Sequence, residues 1–529
     1  MKKETRYGKI TARGFGGYRQ KCLRVMRMYR HEDYEQLKLE MPFGVTLRED
    51  NRWVILSGKF PWEEIDREYR VCFTSDEGQV ALPSRLAFGA LYIQTEEGFT
   101  DEQTRRNIQE NPYLQYFCGF ECYTMESPFD ASMMTHFRKR ISPEMIRRIN
   151  GLMFAAEAVA SMDNEEEEDE TDVSGQENGS EPDSQEVEEE SPGNRGTLIL
   201  DATCCPADIH YPTDVGLLNH ARELVEEMVD ALYPAAHDLY SEKPRTYRQQ
   251  ARKKYLAYTK KRIHTERETR AAIRGNLQYI RRDIGYIENM VKHGVSLDLL
   301  GKELYRKLLV IQELSRQQWD MYNRKSHQIE DRIVSIDQPH IRPIVRGKAG
   351  CPVEFGAKVT VGLVGGYAFV MRAQWDNYSE SKSLKEAVEE YRETFGFYPK
   401  TLLADRAYPS RENRLWCASQ GIRLSGPRLG RKSAEEKASE RKQIYQDGCA
   451  RVVIEGTFGV AKRRFGLNRV MTRLPDTSMT SISMGFLAAN MERKLRLLFA
   501  PEYGWTLDYD FDLGELIIFP RFPDGLVIQ

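Results

Sequence analysis

Between residues 163 and 190 the chain carries fifteen Asp and Glu and not one Lys or Arg. The surrounding segment, DNEEEEDETDVSGQENGSEPDSQEVEEESP, has no aromatic residue and is rich in Glu, Ser, Gly and Pro. Such a stretch cannot bury enough apolar surface to offset the entropy of ordering it, so residues 161–194 are expected to form an acidic, disordered linker. It separates an N-terminal part, 1–160, from a C-terminal part beginning near Arg195. A length of 529 residues already exceeds the ~100 to 200 of one domain and predicts two or three folded units. Setting the acidic run aside reduces the 80 acids of the chain to 65, against 77 bases, so the remainder is strongly basic. A basic body with an acidic tether suits a polyanion partner such as nucleic acid. It equally suits ordinary solubilising charge, and composition leaves both open.

Other classes are easier to exclude. No stretch approaches the ~18 to 20 consecutive apolar residues of a membrane span, and the first twenty residues lack the apolar core of a secretory signal. A cytoplasmic protein with no membrane partner is the expectation. The nine cysteines show no paired CxxC spacing, which predicts reduced thiols rather than a zinc site or disulfide scaffold.

In the N-terminal part, LPSRLAFGALYIQTEEGFTDEQTRRNIQENPYLQYFCGF has helical apolar spacing, with breaks at Gly98 and Asn111-Pro112 and a candidate N-cap at Thr100. Ser132 to Arg140 is a further short, basic helix. A mainly helical domain follows, either a DNA-binding module or a plain helical bundle. Beyond the linker the pattern changes. Thr197 to Leu200, Ala357 to Val364, Tyr367 to Ala373, Thr401 to Ala404 and Ile422 to Leu424 are β-rich, with Gly365-Gly366 as a hairpin turn. Helices are predicted over 382–395, 411–419 and 451–465, giving a mixed α/β sheet over about 195–500 and a C-terminal tail, 501–529. A helical insertion of about 215–330 interrupts it, with Ile280, Ile284, Ile287 and Val291 on one face. Residues 241–282 hold fourteen Lys and Arg against three Glu. Arg252, Lys253, Lys254, Lys260 and Lys261 make this a solvated helix face or a phosphate-tracking one.

The chemistry concentrates in three places. TLILD and TLLAD each deliver an aspartate, Asp201 and Asp405, at the carboxyl end of an apolar strand, where α/β sheets collect ligands. The third is RVVIEGTFGVAKRRFG. Ile454, Phe458, Ala461 and Phe465 form an apolar helical stripe, and Arg451, Glu455 and Lys462 a neighbouring polar one. An Arg451–Glu455 surface pair would be the plain explanation, but Gly456 and Gly459 cost about 1 kcal/mol each in a helix and suggest close approach of another backbone. Three converging carboxylates repel unless a cation lies between them, and hard oxygen donors select two Mg²⁺ or Mn²⁺ ions, the arrangement suited to phosphodiester displacement.

These residues carry a resemblance. TLILDAT, LLADRAY and Arg451-x3-Glu455-x6-Lys462 resemble the three blocks of bacterial insertion-sequence transposases of the DDE type, nearest to the IS-five-like group, and the helices of about 80–140 resemble that group's N-terminal domain. The resemblance covers most of 60–500. It implies a ribonuclease-H-like core and Mg²⁺-dependent DNA cleavage and strand transfer. Asp201, Asp405 and Glu455 would be the metal-binding triad, Arg451 and Lys462 contacts to the element's ends, and the chain a homo-oligomer when bound there. Many relatives have Tyr three residues before the Arg, where this chain has Gly448, which puts that phosphate contact in doubt. An inactive DNA-binding regulator and a nuclease without strand transfer are the alternatives. Asp337, after RIVSI, competes with Asp201 for first acid. Cys118, Cys122, Cys204, Cys205 and Trp375 are expected to be packing residues, and no P-loop is present.

Overall fold

The computed structural model describes residues 46–73, 80–171, 193–240, 242–345, 353–427, 433–499, 505–510 and 515–520. Two compact units emerge, Met1–Ala160 with Met479–Gln529, and Ser161–Ser478.

The first unit opens with α1 (Arg52–Ser57), α2 (Trp62–Arg70), α3 (Ser84–Glu97), α4 (Asp101–Glu110), α5 (Pro112–Phe117), α6 (Met133–Arg140) and the start of α7 (Pro143–Thr171). The breaks fall where the sequence places them. Gly98 closes α3 in a left-handed conformation (φ 68°), Thr100 and Gln103 form a capping box on α4, and Asn111 caps α5 with Pro112 at its first turn. SRLAFGALYI makes α3 apolar on all sides, so it lies at the centre, with Leu86 to Ile93 buried. Around it Trp53, Phe60, Trp62, Phe88, Tyr92 and Phe117 meet mostly edge to face, with centroids 4.9–6.3 Å apart. Arg85 is buried among them. Its guanidinium lies 4.8 Å over the Trp62 ring and donates to Phe117 O (2.9 Å), Tyr116 O (3.0 Å) and Ser57 Oγ (2.6 Å).

The second unit is built on a six-stranded sheet: β1 (Thr197–Pro206), β2 (Arg342–Val345), β3 (Val353–Val364), β4 (Tyr367–Gln374), β5 (Thr401–Ala404) and β6 (Arg423–Leu424). β3 pairs antiparallel with β1 along one edge and with β2 and then β4 along the other. β1, β5 and β6 run parallel. Gly365 and Gly366 turn the β3–β4 hairpin with φ of 54° and 79°, values that favour glycine at both positions. This mixed sheet with helices is the expected α/β, ribonuclease-H-like class, preceded by helices.

The insertion between β1 and β2 contains α8 (Asp214–Leu232), α9 (Arg248–Thr259), α10 (Glu266–Lys292) and α11 (Gly301–Arg324). Leu218, Val225 and Val229 pack against Leu277, Ile280 and Ile287 and against Leu308, Ile311 and Leu314 in one core. Val291, expected on that face, is 39% exposed because the buried row ends at Met290. The two ends of the insertion are tied together: Asp214 accepts from Gln318 and from Arg332, each at 2.8 Å. The chain continues through α12 (Glu380–Phe395), α13 (Arg411–Ser419) and α14 (Ala434–Arg463).

The expected boundaries shift in three places. α7 runs to Thr171, into the segment expected as linker, because Ala- and Glu-rich sequence propagates an already packed helix; residues 172–192 lie outside the described residues. A last long helix, α15 (Pro475–Phe499), is not among the predicted helices; it falls within residues 195–500, expected as the catalytic part, yet from Met479 onward the chain groups with the first unit. There Ile482, Phe486, Leu487 and Met491 are buried, Thr480 Oγ1 bonds Arg138 O (2.9 Å) and Ile141 O (3.0 Å), and Asn490 bonds Asn150 (2.9 Å). The expected tail contains an antiparallel pair, β7 (Trp505–Asp510) with β8 (Glu515–Pro520).

Candidate active site

The ladder between β1 and β5 ends with Leu200 opposite Ala404. The next residue on each strand is an aspartate, so register alone sets Asp201 and Asp405 side by side. Their settings differ. Asp201 is not at the end of its strand, as the sequence suggests, because β1 keeps pairing with β3 as far as Pro206 opposite Gly356. It is held mid-strand, whereas Asp405 is the first residue past β5. Burial pushes the Asp201 carboxyl above the usual carboxylate range; the Ala202 N–H, at 2.7 Å, and Arg451 oppose this, while the charges of Asp405 and Glu380 add to it.

Arg451 comes from α14. Its guanidinium reaches across to Asp405 Oδ1 at 3.4 Å rather than to Glu455 on its own helix. Ile454, Phe458, Ala461 and Phe465 are buried, as their spacing predicts, and fix the rotation of α14. Glu455, one turn beyond Arg451, is exposed, and Lys462 is half-buried. A Cβ at Gly456 would meet nothing within 4 Å, and at Gly459 only the Arg463 guanidinium at 3.4 Å. No backbone among the described residues therefore explains these glycines; the space beside them is open.

Two further side chains escaped the sequence reading. Glu380, the first residue of α12, bonds the buried Lys358 Nζ at 2.8 Å, and Lys358 also donates to Tyr378 O at 2.9 Å. A lysine within the apolar run AKVTVGLV of a central strand was the available signal. Tyr408, from the same DRAY block as Asp405, is fully buried close to the charges of Glu380 and Asp201, and burial pushes its hydroxyl far above the usual range.

The donor set suits a hard divalent cation in its chemistry. Asp201 and Asp405 are neighbouring carboxylates, one of them desolvated, and their mutual repulsion is what such an ion would relieve. Among the described residues no three His, Cys, Asp or Glu side chains are gathered as a metal site. The structure thus brings Asp201, Asp405 and Arg451 together, and leaves Glu455 exposed outside any such group of three.

Of the basic residues, Arg252, Lys253, Lys254, Lys260 and Lys261 are all exposed; Lys254 lies 3.2 Å from the Tyr279 hydroxyl, and Lys261 pairs with Glu268 at 2.5 Å. Asp337 is no rival to Asp201. RIVSI is a loop whose Ile333, Val334 and Ile336 are buried, and Asp337 pairs with Lys307 at 3.0 Å. Cys118 is buried, and burial pushes its thiol up to about 12; Cys204 and Cys205 are buried in β1, and Cys122 is exposed. Trp375 packs edge-on against His340 at 4.4 Å. No described helix is long and apolar enough to cross a membrane.

Comparison with known proteins bears on this site directly. Residues 402–492, which include Asp405, Arg451, Glu455 and Lys462, match the family described as transposase DDE domain, and residues 43–140 match the transposase domain DUF772. Two separate stretches of the chain are thus similar to transposase domains. The resemblance to insertion-sequence transposases of the DDE type is borne out by both. A 96-residue stretch, 18% of the chain, is 38% identical to the uncharacterized protein ORF8 in the nfe locus of Rhizobium meliloti, and spans 46% of that relative. No solved structure matches.

Proposed function

We propose that the protein is a DNA transposase that hydrolyses phosphodiesters at the ends of an insertion element and joins the freed 3′-hydroxyls to target DNA. The observation that carries this reading is the register of β1 and β5, which makes Asp201 and Asp405 neighbours with the Arg451 guanidinium over Asp405. Asp201, Asp405 and Glu455 would hold two Mg²⁺ or Mn²⁺ ions, which when bound supply an activated water or 3′-hydroxyl and stabilise the leaving oxygen. The chain's own groups do the rest. Rigid strand positions fix the two aspartates, Arg451 neutralises Asp405 and offers a planar fork to a phosphate, and Lys462 offers a point charge on the same helix. Open space at Gly456 and Gly459 lets a DNA backbone approach α14.

End recognition is shared between the N-terminal helices of residues 1–160 and the face bearing Arg252, Lys253, Lys254, Lys260 and Lys261. The protein works as a homo-oligomer on paired ends, in the cytoplasm on nucleoid DNA. The test uses DNA carrying the terminal repeats that flank the coding region, with Mg²⁺, and the variants D201N, D405N and E455Q. Each is expected to lose cleavage and joining by at least 10³-fold while binding the ends within about threefold of wild type. Cleavage without joining would make the protein a nuclease, and binding without cleavage a regulator derived from a transposase. Full activity of E455Q would remove Glu455 from the triad.

A further inference from the structure

Along α10, residues 267, 271, 274, 278, 281 and 285 form one exposed stripe that reads Arg, Ala, Arg, Gln, Arg, Gly. Arginine recurs every seven residues, about 10 Å along the axis, with small or neutral residues between. Among the described residues Arg267, Arg274 and Arg281 make no ion pair, in contrast to Arg105, Arg138, Arg222, Arg248 and Arg316. The stripe lines a groove of about 840 Å³ that runs into a second of about 690 Å³, the two sharing Arg274, Gln278 and Tyr322. Together their walls carry seven Lys and Arg and one acid, Glu266.

Planar groups flank the charges. Arg270 lies 4.3 Å over the Tyr322 ring, and Arg282 lies 4.9 Å over Tyr247 and 5.2 Å over Tyr279. Two glycines of the helix, Gly275 and Gly285, also line the groove, and a Cβ on either would meet nothing within 4 Å. Mid-helix glycine costs about 1 kcal/mol, and no packing among the described residues requires these two. They keep the surface beside the arginines low, as close approach of a ligand backbone demands.

We propose that this groove binds an unpaired DNA strand. The inference rests on the DNA reading above but assigns an adjoining surface, which shares Lys254 with the end-recognition face, and a different form of the nucleic acid. Outward arginines recurring about every 10 Å offer repeated phosphate contacts to a strand laid along α10. Tyrosine–arginine stacks favour exposed base faces, which a duplex keeps inside and a single strand presents. Gly275 and Gly285 leave the floor of this groove free for the strand's backbone.

The test measures fluorescence anisotropy with the full-length chain, using a thymidine oligonucleotide of roughly 20 nucleotides and a random duplex of the same length, across a salt series. The triple variant R267Q/R274Q/R281Q is expected to bind the single strand at least tenfold more weakly, with a salt slope smaller by about 2, and the duplex within threefold of wild type. Gly275→Leu, which fills the groove without changing charge and favours the helix, is expected to weaken single-strand binding at an unchanged slope. Thermal melting that matches wild type keeps both results interpretable. Single-strand binding unaffected in both variants, or an equal loss for both DNAs, overturns the groove while leaving duplex recognition standing. A wild-type chain that binds neither DNA overturns the DNA reading and the groove with it.

Discussion

In the N-terminal helices two arginines point inward: Arg85 is clamped by three backbone and hydroxyl oxygens under Trp62, and Arg138 of the basic helix α6 is buried against Asp101 and Gln94. In the insertion, Arg267, Arg274 and Arg281 of α10 point outward and pair with nothing among the described residues. Both regions are helical and both are rich in arginine, yet Arg85 and Arg138 cross-brace one while Arg267, Arg274 and Arg281 decorate the other. A count of basic residues cannot separate these uses. Burial and pairing can: in α6 Lys139 alone of Arg138, Lys139 and Arg140 is fully exposed, so under the proposed function the insertion offers the larger share of free cations.

Substitutions test this contrast most severely where arginine is inside. Arg85→Ala strips the Phe117 and Tyr116 carbonyls of their donor and leaves a hole beside Trp62, so a loss of about 3 kcal/mol is expected in urea unfolding. A loss below about 1 kcal/mol would dissolve the distinction from α10. Asp283 provides an effect of intermediate size. It is fully buried next to Arg282, and burial raises its pKa to about 6. A carboxyl raised by folding holds its proton more tightly in the native state, so the insertion should lose stability as pH climbs from about 4 to about 6 and then level off. Asp283→Asn should remove that slope and stabilise the protein at neutral pH by on the order of 2 kcal/mol; melts across pH 4 to 7 that superimpose on wild type would contradict it. The smallest change in stability belongs to the exposed face. Replacing Arg252, Lys253, Lys254, Lys260 and Lys261 by Gln should shift unfolding by less than about 0.5 kcal/mol while lowering the salt slope of duplex binding by up to about 4. An unchanged slope returns that face to solvent.

Local signals were legible where they were short-range. Gly98, Thr100, Asn111-Pro112 and Gly365-Gly366 mark turns and caps by backbone preference alone, and the structure uses each one. The stripe Ile454, Phe458, Ala461, Phe465 predicted the buried face of α14, but the start of that helix at Ala434 was missed, although Ser433 and Glu436 form a capping box. Its first turns are polar and carry no apolar period. Strand length was hidden for another reason. Nothing in ATCCP announces that β3 extends far enough to keep β1 paired to Pro206, because that depends on a partner some 150 residues away, roughly the span of the insertion. The neighbours of Asp201 follow the same logic: Asp405 is visible as a repeated strand motif, whereas Glu380, itself paired with Lys358, comes near it only through the fold.

The clasp at Asp214, where Gln318 and Arg332 bind the first turn of α8, has a kinetic consequence. β1 must find β3 across the whole insertion, a search of high contact order whose entropic cost grows with the length of chain to be closed. An insertion that folds on its own core and fastens its exit to its entrance shortens that loop to a few residues at each side. Ala207, Val334 and Ile341 then meet in one small apolar cluster just before β2. The sheet is then expected to fold as if the insertion were a short connection, with the inserted helices packed before β1 and β3 pair.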